Sequence, residues 1–281
     1  MNKLRVVTWN AEGMFDEHVG TIRANDHDGI AVIKELDADI VVIPEFGEHG
    51  AMPEHVRVTM NYLGYEIATV PYDPDPAYYH TKNQSYPYEL AIFTRCKLVS
   101  STTLRLGGVR NALDVTCRDA AGKKLRIIGV HLDDNSETMR LKQAEDLVQA
   151  IGKMACPTLV MGDFNAMRSR SQSARIARNR LLHSVVGRAP HDLIRSIASR
   201  AHEMASGTTI DYMVSHSQLH DLDPGHHLTI SGKQHGVEWI PSIRLAKVDW
   251  IFGSHHFKTH AYKVWRDVGS DHRPVRAELE Y

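Results

Sequence analysis

Cysteine is scarce: Cys96, Cys117 and Cys156 are the only three in 281 residues. They are scattered, odd in number and lack C-x-x-C spacing, which argues against a disulfide framework and a cysteine zinc site and favours a reducing compartment. There is no apolar run of about 18 residues and no apolar leader before the first strand pattern, so neither a membrane span nor a signal peptide is expected. The expected location is therefore cytoplasmic. Net charge is nearly absent too, at −1. A polyanion would have to be met by a local patch, not by the field of the whole molecule. Repeats, low-complexity linkers and breaks in composition are missing as well. Residues 1–281 are accordingly read as one domain, long enough to bury a full core.

What the sequence does have is a set of short apolar runs that end in polar residues. Leu159-Val160-Met161 reads as a buried strand, followed by Gly162-Asp163-Phe164-Asn165. Residues two apart in an extended chain point the same way, so Asp163 and Asn165 are expected to share a face. A carboxylate can orient or deprotonate water, and an amide NH2 can donate to an oxygen that gathers negative charge. The pattern recurs elsewhere. The strand Leu4–Thr8 runs into Asn10, and Ile40-Val41-Val42-Ile43 stops at Pro44-Glu45. Ile127-Ile128-Gly129-Val130 ends at His131. Asp249 is the one acid in Lys247-Val248-Asp249-Trp250-Ile251-Phe252, with apolar neighbours on either side, and Asp271-His272 precede the last strand, Val275–Leu279. Ligands and catalytic groups tend to gather at such an edge of an α/β sheet.

Between these runs lie further expected elements: helices over 28–36, 53–63 and 137–151 and strands over 65–70, 90–94, 98–104, 112–118 and 260–264. The longest helix carries Met139, Ala144, Leu147, Val148 and Ile151 on one stripe, with Asp134 or Ser136 as its cap. Half of the ten tyrosines, Tyr72, Tyr78, Tyr79, Tyr86 and Tyr88, share one loop, which reads as packed surface or as a stacking wall. Arg168, Arg170, Arg175, Arg178 and Arg180 crowd another stretch, a solvated helix face or a phosphate-tracking patch. The segment 167–247 shows no clear periodicity.

Six blocks, Thr8-Trp9-Asn10, Pro44-Glu45, Gly129-Val130-His131-Leu132, Gly162-Asp163-Phe164-Asn165, Val248-Asp249-Trp250-Ile251-Phe252 and Ser270-Asp271-His272-Arg273-Pro274, span nearly the whole chain. In kind and order they resemble the endonuclease/exonuclease/phosphatase superfamily of DNase I-like proteins. The resemblance implies an α/β fold, a four-layer sandwich of two packed mixed sheets flanked by helices. It implies a hydrolase of phosphate esters that depends on Mg²⁺ or Mn²⁺, most readily a nuclease or phosphodiesterase, with DNA a possible partner. By the same resemblance Glu45 is the main metal ligand, with Asn10 and Asp271 close to the metal. Asp163 orients or activates water, Asn165 donates to a phosphoryl oxygen, and Asp249 and His272 form a carboxylate–imidazole pair. His131 is a general acid or a phosphate ligand. Either Asp163 or His272 is the base.

Arg140, Tyr88, Trp239 and Arg244 are candidate substrate contacts, though Arg140 and Gln143 also fit a structural role. Pro44 stands where many branches carry Gln, and the tract at 88–92 departs from the usual one, so substrate identity does not transfer. A phospholipid diesterase of sphingomyelinase type would expose apolar groups near the site, with Trp239 and Trp250 as candidates. An inositol- or sugar-phosphate phosphatase is a further alternative. A catalytically silent binding module is the alternative of another class, and the filled polar positions argue against it.

Overall fold

The computed structural model describes residues 2–15, 29–46, 52–70, 90–107, 110–168, 203–230 and 246–281. Two six-stranded mixed sheets form among them. The first runs β11 (Lys258–Val264), β12 (Val275–Glu280), β1 (Lys3–Thr8), β2 (Ile40–Ile43), β4 (Ala91–Thr94), β3 (Glu66–Thr69). The second runs β5 (Lys97–Arg105), β6 (Asn111–Arg118), β7 (Lys124–His131), β8 (Thr158–Asp163), β10 (Asp249–Gly253), β9 (His220–Asp221). Neighbours are antiparallel except β1 with β2 and β7 with β8.

Strand alternation sorts the apolar residues into layers. Leu4 and Val6 of β1, Ile40 and Val42 of β2, Ile127 of β7, Leu159 and Met161 of β8 and Ile251 of β10 face one another in a core between the sheets. The alternate residues of the first sheet, among them Val7, Val41, Ile43 and Phe93, pack under α1 (Gly29–Leu36) and α2 (Glu54–Tyr62). Those of the second sheet, including Ile128, Val130, Val160, Trp250 and Phe252, pack under α3 (Glu137–Ile151) and α4 (Thr208–His216). The layers are therefore helix, sheet, sheet, helix.

Two differences from the expected elements have physical causes. The buried stripe of α3 is Arg140, Gln143, Ala144, Leu147 and Ile151, with Met139 and Val148 only partly covered. The polar residues of that stripe lie at the end nearest the sheet edge, where they find internal partners. Helix α4 arises in a stretch rich in β-branched residues, weak in helix propensity. Packing supplies what propensity lacks: Ile210 and Met213 are fully buried, and the Thr209 N–H donates to Glu137 on α3 at 2.9 Å. The Ser136 hydroxyl caps α3 by accepting from the Met139 N–H at 3.3 Å.

One glycine is required at the head of β8. Gly162 has φ +149°, and a Cβ there would collide with the Val130 backbone of neighbouring β7. Gly162→Ala should therefore lower the free energy of unfolding by about 3 kcal/mol, through strain and forced strand separation. Chemical denaturation measures this, and a midpoint equal to that of the parent protein would contradict the close approach.

Candidate active site

The inter-sheet stripes end in polar residues. His131, Asp163 and Asp249 occupy matched positions on adjacent strands, His131 opposite Asp163 and Asp163 opposite Asp249. They form a row at the edge of the second sheet. Asn10, just past β1, meets that row from the first sheet. Its amide nitrogen donates to Asp163 Oδ2 and to Glu45 Oε1, both at 3.0 Å, while its oxygen accepts from the Glu12 N–H at 3.1 Å. The amide thus presents its donor end to the two acids.

Glu45 and Asn165 both sit in the left-handed backbone region, at φ +51° and +49°, a conformation that costs non-glycine residues energy and is common where a site dictates geometry. The turn at Glu45 is held by the Gly13 N–H on the Glu45 carbonyl, 2.7 Å, and the Ala11 N–H on the Pro44 carbonyl, 3.0 Å. The Asn165 N–H donates to Asp163 Oδ1 at 2.8 Å, and its side-chain amide donates to the Leu132 carbonyl at 3.0 Å. The second amide hydrogen is left for another acceptor.

His272 lies between two acids. Its Nδ1 is 2.8 Å from Asp249 Oδ2, and its Nε2 is 3.7 Å from Asp163 Oδ2 and 3.9 Å from Asp271 Oδ1. Burial disfavours charge on this ring, but Asp249, Asp163 and Asp271 together outweigh it and hold His272 well above the usual imidazole range. The surrounding acids therefore favour the charged form of the ring. Burial pushes the Asp163 carboxyl up to about 7, with Asp249 adding to the rise and His272 and Asn10 opposing it. Burial also raises Glu45, against the pull of Asn10 and His272.

His131 is the opposite case. Burial, then the charges of Arg110 and His272, hold it well below the usual range, so the ring is neutral. Arg110 Nη1 lies 3.3 Å from its Nδ1. A guanidinium only donates, so Nδ1 accepts and the ring proton sits on Nε2, which points to Glu45 Oε1 at 3.5 Å and Asp163 Oδ2 at 3.9 Å.

The geometry brings together Asn10, Glu45, His131, Asp163, Asn165, Asp249, Asp271 and His272. The family model for endonucleases, exonucleases and phosphatases matches residues 7–272. The chain belongs to the endonuclease/exonuclease/phosphatase family. No curated protein matches it. Solved structures share its fold at low identity. An endonuclease/exonuclease/phosphatase from Bacteroides vulgatus is 18% identical, with 100% of this chain and 99% of that one covered and a TM-score of 0.66. A mannosyl-6-phosphatase from Bacteroides thetaiotaomicron is 17% identical, with 99% and 100% covered and a TM-score of 0.61. TDP2 from D. rerio, complexed with a single-strand DNA product, is 16% identical, with both chains covered in full and a TM-score of 0.58.

Arg110 is a site residue of this family member that sequence reasoning misses. It lies before β6 in an unremarkable tract, and only the fold brings it to His131. Arg140 is fully buried and spent on the chain itself, with Nε on Glu137 at 2.8 Å and Nη1 on the Asp133 carbonyl at 2.8 Å. Gln143 accepts from the Asp133 N–H at 2.8 Å and donates to the Gly107 carbonyl at 2.8 Å. The two are struts for the loop after His131, and Arg140 is not offered to a substrate. Trp250 is also fully buried, its indole N–H on the Ala166 carbonyl at 2.9 Å, so it forms no exposed lipid-facing surface. Tyr88, Trp239 and Arg244 lie outside the described residues, as do the tyrosine loop and Arg170 to Arg180.

The donor set fits a divalent cation. Glu45, Asp163, Asp249 and Asp271 share the site with the cationic groups His272 and Arg110, and carboxylate oxygens suit Mg²⁺ or Mn²⁺. Asp163, Asp249 and His272 offer ligand atoms within 4.8 Å of one another. That trio is the less suitable half, because a protonated imidazole held by a carboxylate cannot ligate. Glu45 and Asp271 are the more accessible acids, with side chains 17% and 31% exposed.

The raised Asp163 sets a sign. Without metal, its preference for the proton stabilises the fold below pH about 4, and that contribution is lost as pH rises through about 7. Burial raises the proposed ligand Glu45 as well, and because a metal ligand must be deprotonated, a cation on Glu45 stabilises most where that proton has left. Millimolar Mg²⁺ should raise the melting temperature at pH 8 by more than at pH 5. Saturation at a hundred times Kd corresponds to about 2.7 kcal/mol. A melting temperature indifferent to Mg²⁺ at both pH values would contradict the site.

Proposed function

We propose that the protein is a divalent-metal-dependent phosphodiesterase of nuclease type. The observation that carries this is the row of His131, Asp163 and Asp249, with His272 against it and the acids Glu45 and Asp271 at its rim. Mg²⁺ or Mn²⁺ held by Glu45 and Asp271 would supply charge neutralisation at the phosphoryl and leaving oxygens.

The chain's own residues do the rest. Asp163 is buried, hydrogen-bonded at both oxygens and raised to a pKa of about 7, which suits a group that places a water and takes its proton as the new P–O bond forms and the ester P–O bond opposite breaks, the leaving oxygen departing as an anion that takes its proton from solvent. His272, whose charged form the neighbouring acids favour, suits charge stabilisation better than proton abstraction. Its Nε2–H faces the region where negative charge gathers on phosphorus, and Asp249 fixes the ring and its charge. In this proposal Asp163 is the base. Neutral His131, with Nε2–H turned inward by Arg110, donates to a phosphoryl oxygen; a ring so hard to protonate is ill suited to protonate a leaving group. The free amide hydrogen of Asn165 is a second such donor.

DNA is the preferred substrate, on the arginine-rich stretch beyond Met167 and the tyrosine loop. A small sugar phosphate is the second reading, favoured by the net charge of −1 and by the likeness to a mannosyl-6-phosphatase. Activity of purified protein with Mg²⁺ on plasmid DNA, abasic duplex, single-stranded DNA, RNA, sphingomyelin, inositol phosphates and hexose phosphates separates them. Asp163→Asn and His272→Ala should each lower hydrolysis of the preferred substrate at least 100-fold with the fold kept by circular dichroism, and full activity in either would overturn the roles of base and charge stabiliser. EDTA should abolish turnover and Mg²⁺ or Mn²⁺ restore it; turnover unaffected by chelation would remove the metal.

A further inference from the structure

Asp221-Leu222-Asp223-Pro224-Gly225 reads as a loop or turn in the sequence, and the chain runs on from it to Ile230. In the structure the stretch 221–230 touches both chain segments that supply the Asp249–His272 pair. The buried Thr229 is the point of contact. Its hydroxyl oxygen accepts from the Val248 N–H at 3.2 Å and the Asp249 N–H at 3.3 Å. Its N–H donates to the Ala246 carbonyl at 2.6 Å, and its carbonyl accepts from the Arg273 N–H at 3.0 Å. Ile230 forms a β-bridge with His272 itself. Thus one residue and its neighbour hold the backbone of the acid on one side and of the imidazole on the other.

The other end of the segment is tied down by a lysine. Lys247 is fully buried. Its ammonium lies 2.9 Å and 3.0 Å from the two oxygens of Asp221 and 2.9 Å from Asp223 Oδ2. It stands 4.0 Å over the Trp250 ring and 5.6 Å from that of Tyr262. Asp223 also accepts from the His227 N–H and pairs with His227 Nδ1 at 2.7 Å. A buried ion cluster of this kind is a poor source of net stability, because desolvation offsets the attraction. It is a good way to fix one arrangement of two chain segments, since every group must find its partner.

We propose that residues 221–230 are a positioning strap for the Asp249–His272 pair, with Thr229 as its contact and Lys247 as its clasp. This rests on the proposed catalytic role of that pair. Thr229 and Lys247 are positioning residues: they set the angle at which His272 Nε2 addresses the site and touch no substrate. Displacing a catalytic group by a fraction of an ångström lowers turnover with little change in substrate binding.

The test uses Thr229→Val, which keeps shape and removes the hydroxyl, together with Lys247→Met and Lys247→Arg. One readout is the proton NMR spectrum of the metal-free full chain. The Nδ1–H proton shared by His272 and Asp249 should resonate far downfield, assigned by its loss in His272→Ala. It should broaden or move upfield in Thr229→Val and Lys247→Met. The other readout is hydrolysis of bis-p-nitrophenyl phosphate with Mg²⁺, where kcat should fall about tenfold and KM change less than about twofold in both variants. Lys247→Arg should restore most of kcat and the resonance. A sharp resonance at the parental position in Thr229→Val would overturn the strap, as would its absence from the parent protein. If Lys247→Met does not fold, Thr229→Val decides. If the parent protein hydrolyses no phosphate ester, the resonance still decides the strap while the hydrolase reading fails.

Discussion

Asn10 donates one amide hydrogen to a carboxylate beside its own sheet and the other to a carboxylate on the facing sheet. Those two bonds close the open end of the seam between the sheets. Apolar pairs such as Val6 and Met161 fill the seam further in. At its end the alternation continues while the side chains turn polar, and acids arrive from both layers. The amide between Glu45 and Asp163 donates to both carboxylates and ties the two sheets at that point. Glu45 and Asp163 are in consequence kept apart in role as well as in space. The one sits nearer solvent beside Asp271, and the other sits deep in the row with Asp249.

The charges then divide the site. On the deep side Asp249 and Asp163 favour the charged form of His272, and burial pushes the Asp163 carboxyl up to about 7. Toward solvent lie Glu45 and Asp271, with His272 Nε2 3.9 Å from Asp271 Oδ1 and Arg110 turned to His131 and Asp134. His131 lies at the boundary, neutral because Arg110 and His272 already crowd it with positive charge.

Much of this is legible in the sequence because it is short-range. Strand runs such as Ile40-Val41-Val42-Ile43 and Leu159-Val160-Met161 declare themselves by β-branching and burial on both faces, and the polar residue that ends each run is visible in the same few positions. The order of the blocks carries the family and its layers. What is not legible depends on partners far away in the chain. Helix α4 is built by Glu137 and by the packing of Ile210 against another helix, against its own propensity. Arg140 reads equally as a substrate contact or a structural residue until the fold buries it against Glu137 and the Asp133 carbonyl. Arg110 has no local signature at all. The same holds for Lys247 and Thr229, whose meaning appears only when 221–230 is laid across β10 and the His272 loop. Trp250 is apolar in sequence and structure alike, but the direction it faces is set by the parity of β10 with Asp249, which turns it away from the site.

The central claim is a cation seated on the outer acids, beside a catalytic carboxylate and an imidazolium that do not themselves bind it. Crystals soaked in Mn²⁺ and measured for anomalous scattering test this directly. A strong peak at bonding distance from Glu45, beside Asp271, is the result predicted. A peak seated instead among Asp163, Asp249 and His272, with none at Glu45, would contradict it.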